Sequence, residues 1–114
     1  MTTAHSSFDE LFQTLANPIR RAVVERLARG PASVSELAEP FDTALPSFLQ
    51  HLRVLEAGEL VDSVKKGRVR TYRLTPAALE PATDWLAAQR ARWERRLDQL
   101  DRYLEHMDEE EDDR

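Results

Sequence analysis

"PSFLQHLRVLEAGELV", residues 46–61, is the stretch whose reading decides the fold. Pro46 opens it and Gly58 closes it, and between them Phe48, Leu52 and Leu55 recur at i, i+4 and i+7. That spacing predicts a helix with one face turned to a core. The other side presents Leu45, Ser47, Leu49, Gln50 and Arg53. A helix anchored on one side and furnished with hydrogen-bonding groups on the other is suited to reading another surface.

Working outward, Ser7 and Glu10 form the S-x-x-E signature of a capping box, and Phe8, Leu11, Phe12 and Leu15 follow at helical spacing. Asn17-Pro18 starts a second helix, with Asn17 as cap and Pro18 in the first turn, where its missing N–H costs nothing. Val23, Val24 and Leu27 supply its inner face, and Gly30-Pro31 ends it. A short extended piece, 32–34, leads to a third helix near Ser35 that Pro40 stops; the quoted stretch is the fourth. Residues 60–64 and 69–74 alternate as half-buried strands joined by Lys65-Lys66-Gly67-Arg68. From 82 to 107 the chain runs without glycine or proline as one long helix, and the acidic residues 108–114 are expected to be disordered. Helix, helix, tight turn, helix, hairpin is the order of a winged helix-turn-helix. The predicted fold is therefore mainly α with a small β-hairpin, about five helices plus a two-stranded wing. It comprises a DNA-binding domain over 1–81, a dimerisation helix over 82–107 and an acidic tail over 108–114.

Composition narrows the function classes. The 114 residues suit one domain with a thin core, for which dimerisation would add burial. Without cysteine there are no disulfides, thiolate metal sites or cysteine nucleophiles. No stretch approaches the roughly 18–20 apolar residues of a membrane span, and MTTAHSSFDE lacks the pattern of a signal peptide, so a cytoplasmic protein is expected. The three histidines are far apart and no glycine-rich phosphate loop is present, which argues against an enzyme or a cofactor. The net charge of −5 is segregated: 98–114 holds nine acids against Arg102 and Arg114, leaving +2 on residues 1–97. Within 63–73 stand Lys65, Lys66, Arg68, Arg70 and Arg73, and no acid.

Such a basic hairpin is expected to lie along phosphates, with a solubilising tip as the plain alternative. Gly67 suits a tip residue at positive φ, while Val69 and Tyr72 are expected to pack the wing onto the domain. On the fourth helix Gln50 is matched to adenine and Ser47 to several bases or a phosphate. Leu45 and Leu49 either meet thymine methyls or complete the core. His51 is a polar anchor or phosphate contact at the domain edge, less readily a metal ligand, and Arg53 contacts DNA or is a solvated charge. The candidate DNA-binding set is thus Leu45, Ser47, Leu49, Gln50, His51, Arg53, Lys65, Lys66, Arg68 and Arg70, with no metal site.

Residues 8–75 closely resemble the ArsR-type family of bacterial winged-helix regulators. The resemblance is carried by L-A-N-P-I-R-R, by S-E-L-A in helix three, by H-L-R-V-L-E in helix four and by G-R-V-R-T-Y-R-L in the wing. It implies a homodimeric transcriptional repressor on a palindromic operator in double-stranded DNA. Three departures accompany it. Where metal-sensing relatives carry cysteines, this chain has Ala38 and Pro40. Of the other common metal set only His106 and Glu109 are present, with Arg95 and Trp93 at the earlier positions. Leu49 and Gln50 replace a small polar and a basic residue, and Ala44 stands where a serine often caps helix four, with Thr43 as substitute cap.

In the last helix Leu86, Trp93, Leu97, Leu100, Leu104 and Met107 repeat in steps of seven, four, three, four and three, the seam of helices packed side by side. That predicts a homodimer whose interface draws on Phe8, Leu11, Phe12, Leu86, Trp93, Leu97, Leu100 and Leu104. Packing of the last helix on helix one of the same chain is compatible with it. Trp85 and Trp93 read as core rather than as a ligand box, so no constellation marks an inducer site. A rival reading from another class is a winged-helix module that docks on protein without specific DNA binding, which exposed Leu45 and Leu49 would favour.

Overall fold

The computed structural model describes residues 4–112. In chain order the elements are α1 (Ala4–Leu15), α2 (Pro18–Leu27), β1 (Ala32–Ser33), α3 (Val34–Ala38), α4 (Leu45–Ala57), β2 (Val61–Lys66), β3 (Val69–Leu74), a 3-10 turn (Pro76–Leu79) and α5 (Glu80–Asp112). The chain divides after Pro81 into two compact units.

The first unit is built from helices whose starts and stops are written locally. Asn17 caps α2 by accepting from the Ile19 and Arg20 amides at 2.8 and 3.2 Å. Ser33 and Glu36 form a reciprocal capping box on α3, each side chain bonded to the other's backbone amide at 3.2 Å. The box expected at Ser7–Glu10 falls on a Ser7 side chain outside the described residues, and α1 itself opens earlier, at Ala4. Ala44 at the head of α4 makes no side-chain cap bond, so Thr43 does not take over that role.

The core collects Leu11, Val23, Leu27, Ala32, Leu37, Phe48, Leu52, Leu55, Leu60, Val61 and Tyr72. Phe48, Leu52 and Leu55 form the inner stripe of α4 as its periodicity predicts. Phe41 stacks on Phe48 with ring centroids 5.7 Å apart, tying the helix-turn-helix connection to that stripe. Leu11, expected at a dimer interface, is 7% exposed because this unit's own core already covers it; Phe12 remains 41% exposed.

The wing is a three-stranded antiparallel sheet in the order β1-β3-β2 rather than a two-stranded hairpin. Ala32 and Ser33 pair with Tyr72 and Thr71, so the piece before α3 covers the far edge of β3. β2 and β3 pair from Val61↔Leu74 to Lys66↔Val69, leaving Gly67 and Arg68 as a two-residue turn. Gly67 has φ 62° and Arg68 is not in the left-handed region, the pattern of a turn with glycine at its first central position. Tyr72 is buried as expected, but Val69 is 54% exposed because its side chain lies on the opposite face of the sheet.

The second unit consists of α5 from Ala82 onward; the whole helix, at 33 residues, is about 50 Å long. It continues through Asp112, so residues 108–112, expected to be disordered, are helical. Trp85, Leu86, Trp93, Leu97, Leu100, Leu104 and Met107 are all exposed along it, the two tryptophans included.

Candidate nucleic-acid interface

α4 and the wing face each other across a cleft of about 470 Å³ lined by Val34, Leu49, Arg53, Glu56, Lys65, Arg68, Arg70 and Tyr72. Leu49, Arg53 and Glu56 come from α4, at steps of four and three that place them on one side of the helix. Lys65 and Arg70 sit opposite each other across β2 and β3, on the same sheet face as Ser63 and Tyr72. The fold thus gathers five of the residues singled out from the sequence: Leu49, Arg53, Lys65, Arg68 and Arg70.

Gln50 joins them through Arg53, whose Nη1 donates to the Gln50 Oε1 at 3.0 Å. Leu45 and Ser47 are exposed at the amino end of α4, Leu45 by 53%. Leu49 is half-buried at the cleft wall, between the two alternatives that its sequence allowed. Lys66 lies on the other face of the wing. Arg73 leaves the cationic set altogether: its Nε donates to the Asp62 carboxylate at 2.6 Å across the strand pair. Among the described residues no acid pairs with Lys65, Lys66 or Arg68.

His51 does not belong to this face. It lies on the side of α4 that meets α2, where its Nδ1 is 3.3 Å from the Arg20 guanidinium. A guanidinium can only donate, so Nδ1 accepts and the ring is held as the Nε2–H tautomer. The same Arg20 also donates to the Thr14 and Gln13 carbonyls at 2.7 and 3.4 Å. His51 thus bridges α4 and the end of α1, the polar anchor that its sequence offered beside a phosphate contact.

Glu56 was not among the expected site residues. It accepts from the Ser63 hydroxyl at 3.0 Å, and Ser63 in turn accepts from Arg70 Nη1 at 2.8 Å. Burial raises the Tyr72 phenol above its ordinary pKa, helped by the charge of Glu56 and a hydrogen bond to its carboxylate. One carboxylate on α4 thereby holds Ser63 and, through Ser63, Arg70. The spacing of Glu56 from Leu49 and Arg53 carried the signal, since all three fall on one helical face. In α5, His106 pairs with Glu110 at 3.2 Å rather than with Glu109.

A short helix, a tight turn and a second helix beside a cationic three-stranded wing define a winged helix-turn-helix, the architecture of a DNA-binding regulator. Comparison with known proteins agrees. Residues 15–64 match the family model described as a helix-turn-helix domain. The chain is 43% identical over 77 residues to the HTH-type transcriptional regulator Rv2034 of Mycobacterium tuberculosis, covering 68% of this chain and 72% of that protein. It is 27% identical over 78 residues to the transcriptional repressor SdpR of Bacillus subtilis, covering 68% and 87%. Among solved structures, the ArsR family transcriptional regulator RHA00566 superposes with a TM-score of 0.74 and 47% identity, over 82% of this chain and 97% of that one. The chain belongs to the ArsR family of winged helix-turn-helix transcriptional regulators.

Proposed function

We propose that this regulator is a homodimeric repressor that binds a palindromic operator, inserting α4 into the major groove and laying the wing along the adjoining phosphates. The observation that carries the reading is the cleft in which Arg53 of α4 meets Lys65, Arg68 and Arg70 of the wing. Repulsion among these cations is relieved when phosphates replace their counterions. Base-directed contacts are assigned to Ser47, Leu49, Gln50 and Arg53, with Leu45 at the groove entrance, and phosphate contacts to Lys65, Lys66, Arg68 and Arg70. Two such units bind half-sites about 34 Å apart. The relatives' names as regulators and repressors support regulation without a catalytic step, and no helix among the described residues is long and apolar enough to cross a membrane.

Titration of upstream DNA at two salt concentrations tests the reading. Four wing contacts predict a slope of log affinity against log salt of about −3.6 per subunit. Arg68→Ala is expected to weaken all duplexes alike and to flatten the slope by about one unit. A flat or absent response would instead support a protein-docking module, for which exposed Leu45 is the available feature.

A further inference from the structure

The pairing of Arg53 with Gln50 determines what the outer side of α4 has left to offer a base. The Arg53 Nη1 lies 3.0 Å from the Gln50 side chain, and a guanidinium has donors but no acceptor. The amide must therefore turn its oxygen towards Arg53 and its NH2 outward. Recognition of adenine by glutamine uses both ends of the amide, the oxygen for the adenine N6 amino group and the NH2 for N7. With the oxygen engaged, that bidentate match is lost. What faces the groove is a cluster of donors: the Gln50 NH2 and the remaining N–H groups of Arg53.

Neither cytosine nor adenine presents a donor-free edge in the major groove, and thymine presents one acceptor beside a methyl group. Guanine presents two acceptors, N7 and O6. We propose that Gln50 and Arg53 act as a single donor unit that reads guanine in each operator half-site. The proposal rests on the operator-binding reading above. It also depends on Glu56, three residues beyond Arg53 on the same face. Glu56 accepts from Ser63, and Arg53 is bonded to Gln50 instead. Both reading side chains are exposed to a docking duplex, and the 3.0 Å bond between them reduces the rotamer freedom that each has to give up.

Selection of the wild-type protein on randomised duplexes, followed by titration of the selected sites, tests this. Each half-site is expected to carry a guanine at one fixed step. Replacing it with 7-deazaguanine, which lacks the N7 acceptor, is expected to weaken binding about tenfold, and inosine, which keeps N7 and O6, to leave it unchanged. Arg53→Ala frees the Gln50 oxygen and is expected to shift the selected base from guanine to adenine. Selected sites without a required guanine, indifference to 7-deazaguanine, or an unchanged preference in Arg53→Ala would overturn the donor-unit assignment while leaving operator binding intact. Recovery of no sequence above random would remove both.

Discussion

Glu59 holds a φ of 60°, the left-handed region that costs a residue with a Cβ roughly 1–2 kcal/mol. It does so because α4 ends in a Schellman arrangement: the Leu60 amide donates to the Leu55 carbonyl at 3.0 Å and the Glu59 amide to the Glu56 carbonyl at 3.0 Å. Leu60 and Leu55 are both fully buried, so their packing holds Glu59 in place. Glu59→Gly is expected to raise stability by about 1 kcal/mol, a gain of about 4–8 °C in Tm for a unit of this size. Gly58 precedes it at an ordinary φ of −82°, and an added Cβ would stand 3.5 Å from the Val54 carbonyl and 3.6 Å from the Thr14 hydroxyl. Gly58→Ala is thus expected to be tolerated. Thermal unfolding of the two variants checks the pair; a loss of stability in Glu59→Gly with a gain in Gly58→Ala would contradict the assignment of the left-handed position. The sequence marks the stop of α4 with Gly58 but not the residue that takes the strained conformation, because tertiary packing of Leu60 decides that. His51 illustrates the same limit: its helical position was legible, its partner Arg20, thirty-one residues away, was not.

At the scale of elements, the wing is held to α4 through one carboxylate. Glu56 accepts from Ser63, and Ser63 supports Arg70. Glu56→Ala leaves the Ser63 hydroxyl without its acceptor and removes the support that Ser63 gives Arg70, at an expected cost of about 1 kcal/mol. Glu56→Gln keeps an acceptor of the same shape, so its cost is smaller. It also removes the only negative charge among the described residues that line the cleft, and DNA affinity should rise most at low salt. Urea unfolding and DNA titration of the two variants separate these effects; a Gln variant as unstable as the Ala variant would show that the carboxylate charge, rather than the hydrogen bond, holds the wing. The elements themselves were largely legible. The i, i+4, i+7 stripe of α4, the Asn17-Pro18 start of α2 and the pairing of β2 with β3 each recur in the structure, although Val64 and Val69 are half exposed where the alternation expects burial. The extended piece 32–34 carries no periodicity of its own; its strand character comes only from pairing with Tyr72 and Thr71. The Ser33–Glu36 box has the same S-x-x-E spacing as Ser7–Glu10, and local pattern does not choose between them. The basic half of the cleft followed from charge, whereas Glu56 was hidden among residues chosen for being cationic or apolar.

For the molecule as a whole, α5 presents an apolar seam to solvent: Leu97, Leu100, Leu104 and Met107 are 41%, 51%, 49% and 42% exposed. In the proposed dimer, covering the remaining surface of each contributes on the order of 1 kcal/mol. Charge selects an orientation for that pairing. Arg90, Arg92, Arg95 and Arg96 lie in the first half of the helix, while Asp98, Asp101, Glu105 and the run from Asp108 to Asp112 lie in the second. A parallel pair would set the cluster Arg90–Arg96 against its copy and the acidic stretch 105–112 against its copy. In an antiparallel pair the basic segment of one helix faces the acidic segment of the other. A carboxylate placed in the seam by Leu100→Asp would lose its water on pairing with no partner to compensate it. Sedimentation at micromolar concentration should therefore change from a dimer in the wild type to a monomer in Leu100→Asp, while the helix content of the first unit is retained. Because two half-sites are engaged together only by a linked pair, the monomer is also expected to lose at least about 10²-fold in operator affinity while keeping its binding to a single half-site. If Leu100→Asp sediments as the wild type does and binds the full operator equally well, the seam of α5 is not what joins the two copies.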